Sequence, residues 1–177
     1  NHFQIKDSII KNSNESAQKE FDNMVKNLRK NGISVHVFKD DENDNTPDSI
    51  FPNNWVSFHE NGDVGLFSMY AKNRRLERRP EVLEFLESEG YIISNIVDYS
   101  SAESEDKFLE GTGSMILDRE NRIAYCSISN RSNEDLFIEF CEDFEFTPVL
   151  FNSFQSVGDK RLPIYHTNVM MCVATDY

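Results

Sequence analysis

The chain has 177 residues, and 18 Lys and Arg against 31 Asp and Glu leave it with a formal charge of −13. That length suffices for one domain with a sizeable core, while the acidic balance lacks the basic footprint that nucleic-acid binding requires. No apolar run approaches the roughly 20 residues that span a bilayer, and the opening NHFQIKDSII carries no signal-peptide pattern.

A first helix is marked by Asn12 or Ser13 as cap and by the stripe Ala17, Phe21, Met24, Val25 and Leu28, with Gly32 to close it. Ile33, Val35 and Val37 then alternate as a strand, and the acidic loop KDDENDNTPD leads to SIFPNNWVSFH. Asn61-Gly62 is a hairpin turn between WVSFH and VGLFSM. A second round starts at Arg79-Pro80, where Pro suits the first helical position, with Val82, Leu83, Phe85 and Leu86 inward and Gly90 as stop. YIISNIVDY follows as a strand, SSAESED as a polar loop, and FLEGTGSMIL as a strand that turns through DREN into RIAYCSIS. The third round has Asn133 as cap, Leu136, Phe137, Phe140, Cys141 and Phe144 as stripe, and then TPVLFNSF. A turn at Gly158-Asp159 leads to IYHTNVMMCVA, read as a final strand.

The order helix, strand, polar loop, strand thus occurs three times. Asn54, Glu110 and His166 fall on the strand after the loop or turn in each round, at equal intervals of 56 residues. Repeats of this length are modules that cannot bury their apolar faces alone. Radial packing of such modules predicts that the three side chains converge.

Taken singly, these residues are weak signals. Glu110 lies beside Gly111 and Gly113, which permit close approach of a ligand or a backbone, yet a surface Glu at a glycine-relieved strand end fits equally. His166 is suited to proton transfer near neutral pH, although a lone histidine is more often a structural hydrogen-bonder, as His2, His36 and His59 are read. Arg131, between a strand and a helix, can grip a carboxylate in fork geometry or be an ordinary surface arginine. Asp48 can hold a cation or simply make a turn after Pro47. Cys126, Cys141 and Cys172 all sit in apolar runs without CxxC spacing. They read as small core residues in a reducing, cytoplasmic setting. A nucleophile elbow, a phosphate loop and clustered metal ligands are all missing from the pattern.

In order and spacing, Pro47-Asp48-Ser49-Ile50-Phe51, Glu110-Gly111-Thr112-Gly113, Asn130-Arg131-Ser132-Asn133 and Tyr165-His166-Thr167-Asn168 resemble the guanidine-modifying superfamily. This superfamily includes arginine deiminases, dimethylarginine dimethylaminohydrolases and amidinotransferases. SIFPNNW and RRLERRPEV look most like the citrulline-utilisation hydrolase branch. The resemblance runs from about Phe3 to Cys172. It implies an α/β fold, a five-fold pseudosymmetric α/β propeller (pentein) of ββαβ-type modules. Residues 1–177 would be one incomplete domain covering about three modules, roughly 13–68, 79–128 and 133–174.

The resemblance further implies that Glu110 binds a substrate guanidinium, that His166 is the general acid and base, and that Asp48 lines the same pocket. Arg131, and with it Arg79, would bind a substrate carboxylate. Asn54 stands where several relatives carry a guanidinium-binding carboxylate. The nucleophilic cysteine would come from a later module beyond position 177, so Cys172 is not assigned that role. The implied activity is hydrolysis of a small guanidino or ureido compound through a covalent amidino-cysteine intermediate, without cofactor or metal. Three alternatives stand beside it: an amidinotransferase with an amine acceptor, a binding protein on the same fold, and a naturally short, inactive chain. Uncovered strand edges in an incomplete ring invite partner pairing, so a homo-oligomer is allowed, whereas nucleic acid and membrane are not expected as partners.

Overall fold

A computed structural model describes residues 7–40 and 45–175, with side chains from residue 13 onward. His2, Phe3 and the centre of the acidic loop lie outside the described residues. The chain divides into two compact units, residues 1–39 and 40–177.

In the first unit, helix α1 spans Asp7–Lys30. It begins upstream of the expected cap, so Asn12 and Ser13 lie inside it. Such residues prefer caps, but their cost within a helix is small enough for neighbouring Lys, Glu and Gln to override. Gly32, at φ 81°, ends α1 in a Schellman arrangement. The Ile33 N–H reaches the Leu28 carbonyl at 3.1 Å, and the Gly32 N–H reaches that of Arg29 at 3.0 Å. The alternation of Ile33, Val35 and Val37 does not produce a strand. No ladder partner lies beside it among the described residues, and the Val35 carbonyl is taken by Arg29 Nη2 at 2.7 Å.

The second unit contains two copies of one ββαβ arrangement. In the first copy, β1 (Val56–Phe58) pairs antiparallel with β2 (Asp63–Leu66). The turn between them uses Gly62 at φ 85°, as Asn61-Gly62 implied. Helix α2 (Pro80–Ser88) then returns the chain to β3 (Asn95–Asp98), which is parallel to β2 with Val64 opposite Ile96. In the second copy, β4 (Met115–Asp118) pairs antiparallel with β5 (Ile123–Ser127). Helix α4 (Glu134–Asp143), capped by Asn133, leads to β6 (Thr147–Phe151), parallel to β5. A two-stranded hairpin, β7 (Phe154–Val157) and β8 (Lys160–Pro163), follows. The architecture is therefore mixed α/β with small separate sheets.

Three expected strands change character. YIISNIVDY pairs only over Asn95–Asp98. FLEGTGSMIL is interrupted by a single helical turn, α3 (Gly111–Ser114), before β4 begins. Gly111 sits at φ 45°, and a Cβ there would lie 2.3 Å from the Asn53 carbonyl, so only glycine allows the chain to turn here. In IYHTNVMMCVA, a 3-10 turn at Thr167–Val169 gives way to irregular backbone. Among the described residues no strand pairs with that segment in a ladder, and Cys172 is exposed instead of packed in a core. Asn54, Glu110 and His166 accordingly mark the edges of three short helical turns (Pro52–Asn54, Gly111–Ser114 and Thr167–Val169) and not of three strands.

The α4 stripe packs as read. Phe137 and Phe140 are fully buried against Phe67, Met115, Ala124 and Cys126. Phe67 extends from β2 to within 5.8 Å of the Phe140 ring, so the two ββαβ copies share this core. Each buried aromatic ring stabilises it by about 1.5–3 kcal/mol. Burial pushes the Cys126 and Cys141 thiols up to about 12, consistent with inert packing. No helix of the described residues is long and apolar enough to cross a membrane.

His59, at the end of the first hairpin, stacks on Phe144 with ring centroids 4.2 Å apart. Burial, with Arg119 and Arg122 nearby and only partly offset by Asp63, lowers its imidazole from 6.5 to about 4. The unfolded chain binds this proton between pH 6.5 and 4 and the folded chain does not, so stability falls as pH drops through that window. Urea unfolding of His59→Gln should show a shallower loss of stability over this range than the wild type; an identical slope would refute the assignment.

Candidate active site

The three helical turns meet, with α3 touching both of the others. Its glycines make the approach possible. A Cβ on Gly113 would lie 2.6 Å from Asn54 Nδ2 and 2.9 Å from His166 Cε1. Thr167, fully buried, ties the turns together. Its hydroxyl donates to the Ser114 carbonyl at 2.5 Å and accepts the Ser127 N–H at 2.9 Å.

Glu110 is fully buried at this junction. Its backbone N–H reaches Ser114 Oγ at 2.9 Å, and that hydroxyl donates to the Arg131 carbonyl. Its Oε1 accepts the Tyr70 N–H at 3.0 Å, and its Oε2 lies 2.6 Å from His166 Nε2 and 3.4 Å from Arg131 Nη1. Burial alone would raise the Glu110 pKa, but the His166 hydrogen bond, the Arg131 charge and the Tyr70 N–H together hold it below 4.5. An ionised carboxylate only accepts, so His166 Nε2 carries the proton of their contact. The ring's Nδ1 then faces Gly113, 3.0 Å from where a Cβ would be.

Asn54 is buried, and Asp48 is half-exposed with its carboxylate 4.0 Å from Arg74 Nε. Arg131 lies near the surface between the rings of Tyr70 and Tyr165, its guanidinium 5.7 and 5.2 Å from their centroids. The structure thus groups Asp48, Asn54, Glu110, Arg131 and His166. Arg79 is placed elsewhere, in ion pairs with Glu81 at 2.7 Å and Asp40 at 3.6 Å. Among the described residues no group of three or more His, Cys, Asp or Glu side chains is placed to hold a metal ion.

Two members of the cluster escaped sequence reasoning. Arg74 and Glu77 are both buried and joined by hydrogen bonds of 2.8 and 2.9 Å, and Arg74 Nη1 lies 3.8 Å from Glu110 Oε2. Their signal is an Arg and a Glu three residues apart inside the run RRLERR, easily mistaken for a solvated charged face. A related support lies beneath Tyr70. Glu103 accepts the Met69 N–H at 2.8 Å and is clamped by Arg75 and Arg78.

Residues 1–177 match the family described as N,N dimethylarginine dimethylhydrolase, eukaryotic. The fold is similar to that of ArgZ, an arginine dihydrolase from the ornithine-ammonia cycle in cyanobacteria, with a TM-score of 0.61 and 22% identity. That match covers 81% of this chain and 21% of ArgZ. The N-terminal domain of ArgZ, in a mutant bound to substrate, matches with a TM-score of 0.56 and 21% identity over 76% of this chain and 45% of that one. The same domain is also known covalently bonded to a reaction intermediate, at 20% identity. The chain therefore spans about a fifth of ArgZ and less than half of its N-terminal domain. No curated protein matches. The family match places the chain in the guanidine-modifying superfamily, and the fold agrees with it. Within it, the chain belongs to the N,N-dimethylarginine dimethylhydrolase family.

The glycine contacts make a direct prediction. Gly113→Ala should lower stability by about 1–3 kcal/mol, the range for inserting a methyl group into tight packing. Thermal and urea unfolding would measure this; a change below about 0.5 kcal/mol would mean that the turns are less closely packed than described.

Proposed function

We propose that the chain supplies the guanidinium-holding and proton-transferring part of a thiol-dependent hydrolase that acts on arginine or a related guanidino compound. The observation that carries this reading is the buried Glu110–His166 contact of 2.6 Å, set among Arg131, Asn54 and Asp48. Family membership supports the reaction class.

A guanidinium carbon is a poor electrophile because its charge spreads over three nitrogens. Glu110 and Asp48 hold the group fixed, which converts an encounter into a positioned reaction. Glu110 Oε1 has acceptor capacity beyond the Tyr70 N–H, since a carboxylate offers about four lone-pair positions. Arg131, at the accessible edge, suits a substrate carboxylate. A cysteine thiolate from a module beyond position 177 attacks the guanidinium carbon, and the C–N bond to the departing amine breaks as that amine takes a proton from His166. Water then adds with its proton passing to His166, the C–S bond breaks, and a ureido product leaves. Nδ1 is the ring atom available for this traffic, because Nε2 is engaged by Glu110.

On this reading the two ββαβ copies, residues 56–98 and 115–151, are neighbouring modules of a five-module ring. The module boundaries then fall between the sheets and not at the 13–68, 79–128 and 133–174 expected from the sequence, and the thiolate arrives from the last module. An amine in place of water at the second step would make the enzyme an amidinotransferase.

In the full natural polypeptide, His166→Ala should lower turnover of arginine or methylated arginine by about 10²- to 10⁴-fold, the usual contribution of a general acid and base. Ammonia or alkylamine release together with the ureido product reads the hydrolase reaction directly. Near-normal rates in the variant would reject the role of His166, and amine-dependent turnover without ureido product would replace hydrolase by transferase.

A further inference from the structure

Arg74 plays no part in the steps above, yet its contacts decide which face Asn54 turns to the site. It lies in the 3-10 turn Lys72–Glu77 and is buried. Glu77 takes its Nε at 2.9 Å and its Nη2 at 2.8 Å, while Nη2 also reaches the Asp48 carbonyl at 3.4 Å. Burial opposes its charge, but the Glu77 contact more than restores it, so Arg74 remains a cation. Nη1 then donates to Asn54 Oδ1 at 2.7 Å. A guanidinium has five donors and no acceptor, so the Asn54 atom that faces it has to be the oxygen. Turning the amide over would set donor against donor in a buried place and leave both unsatisfied. The amide nitrogen is consequently directed over Gly113, where the Cε1 and Nδ1 edge of His166 also lies.

We infer that Arg74 is a positioning residue that locks the Asn54 amide with its NH₂ toward His166. Resting on the function proposed above, this makes Asn54 a determinant of substrate polarity. A carboxylate at position 54 would accept hydrogen bonds from a guanidinium. The locked amide instead offers N–H donors, and the complementary ligand atom is a carbonyl-type oxygen, as in a ureido group. The lock also explains how one buried site accommodates a second fixed cation. Arg74 is paired with Glu77 and donates Nη1 to Asn54 Oδ1, so it faces Glu110 Oε2 only as a charge at 3.8 Å and leaves the hydrogen bonds of Glu110 to Tyr70 and His166.

Two readouts on the full chain test this. In NMR spectra, through-space coupling between the Asn54 side-chain amide protons and the His166 Hε1 proton should be present in the wild type. It should vanish in Arg74→Met/Glu77→Leu, a pair chosen so that no lone charge is left buried. Calorimetric titration with L-citrulline and L-arginine supplies the second readout. Asn54→Asp, which keeps Arg74 in place, should shift the affinity ratio by about tenfold toward L-arginine, with the unfolding temperature monitored to separate misfolding from specificity. Absence of the coupling in the wild type, or an unchanged ratio in folded Asn54→Asp, overturns the inference. If neither ligand binds the wild type, the guanidino function fails, and the coupling still decides the orientation of the amide.

Discussion

Everything around the site follows from burying one carboxylate. Glu110 has no exposed surface, and an ionised side chain removed from water costs several kcal/mol unless partners replace its hydration. The chain supplies these from four directions: a backbone N–H from Tyr70, an imidazole from His166, and two guanidinium groups at 3.4 and 3.8 Å. Each partner comes from a separate segment. Placing Glu110 therefore requires the loop after β2, the turn of Thr167–Val169, the loop before α4 and the turn of Lys72–Glu77 to be in position together. The carboxylate is as much an organiser of the fold as a tenant in it.

This dependence explains why the supports of the site are backbone-heavy. The Tyr70 N–H is held in place because Glu103, gripped by Arg75 and Arg78, takes the neighbouring Met69 N–H. The Ser114 hydroxyl bonds the main chain of Arg131, and the Thr167 hydroxyl bonds main-chain groups of Ser114 and Ser127. Hydroxyls can act as donor and acceptor at once, so they join short turns that have no ladder of their own. The shared aromatic core of Phe67, Phe137 and Phe140 then keeps the two sheets at the spacing these bonds need.

How much of this was legible in the sequence depends on the range of the information. The equal spacing of Asn54, Glu110 and His166 anticipated that they meet, because a repeat interval reports the period of the module. It carried no information on local conformation, and the predicted strands proved to be helical turns. The glycines at 111 and 113 signalled close approach correctly, since the requirement is steric and local. The alternation of Ile33, Val35 and Val37 misled, because a strand needs a neighbour as well as a pattern. Arg74 and Glu77 were hidden for the opposite reason. In RRLERR nothing distinguishes the one arginine that becomes buried, and only the three-dimensional placement of Asp48, Asn54 and Glu110 selects it.

Charge bookkeeping within the cluster shows why an amide at position 54 is consistent with its surroundings. Asp48, Glu77 and Glu110 bring three negative charges, and Arg74 and Arg131 bring two positive ones. One uncompensated negative charge remains, which on the proposed function a single guanidinium would balance. A carboxylate at position 54 would add a fourth negative charge in contact with Arg74, so that two buried carboxylates would share one guanidinium. Asn54 keeps the Arg74–Glu77 pair intact and still satisfies Nη1. On the inference drawn above, Asn54 and Arg74 thus act as one polar unit, joined by the Arg74 Nη1–Asn54 Oδ1 hydrogen bond.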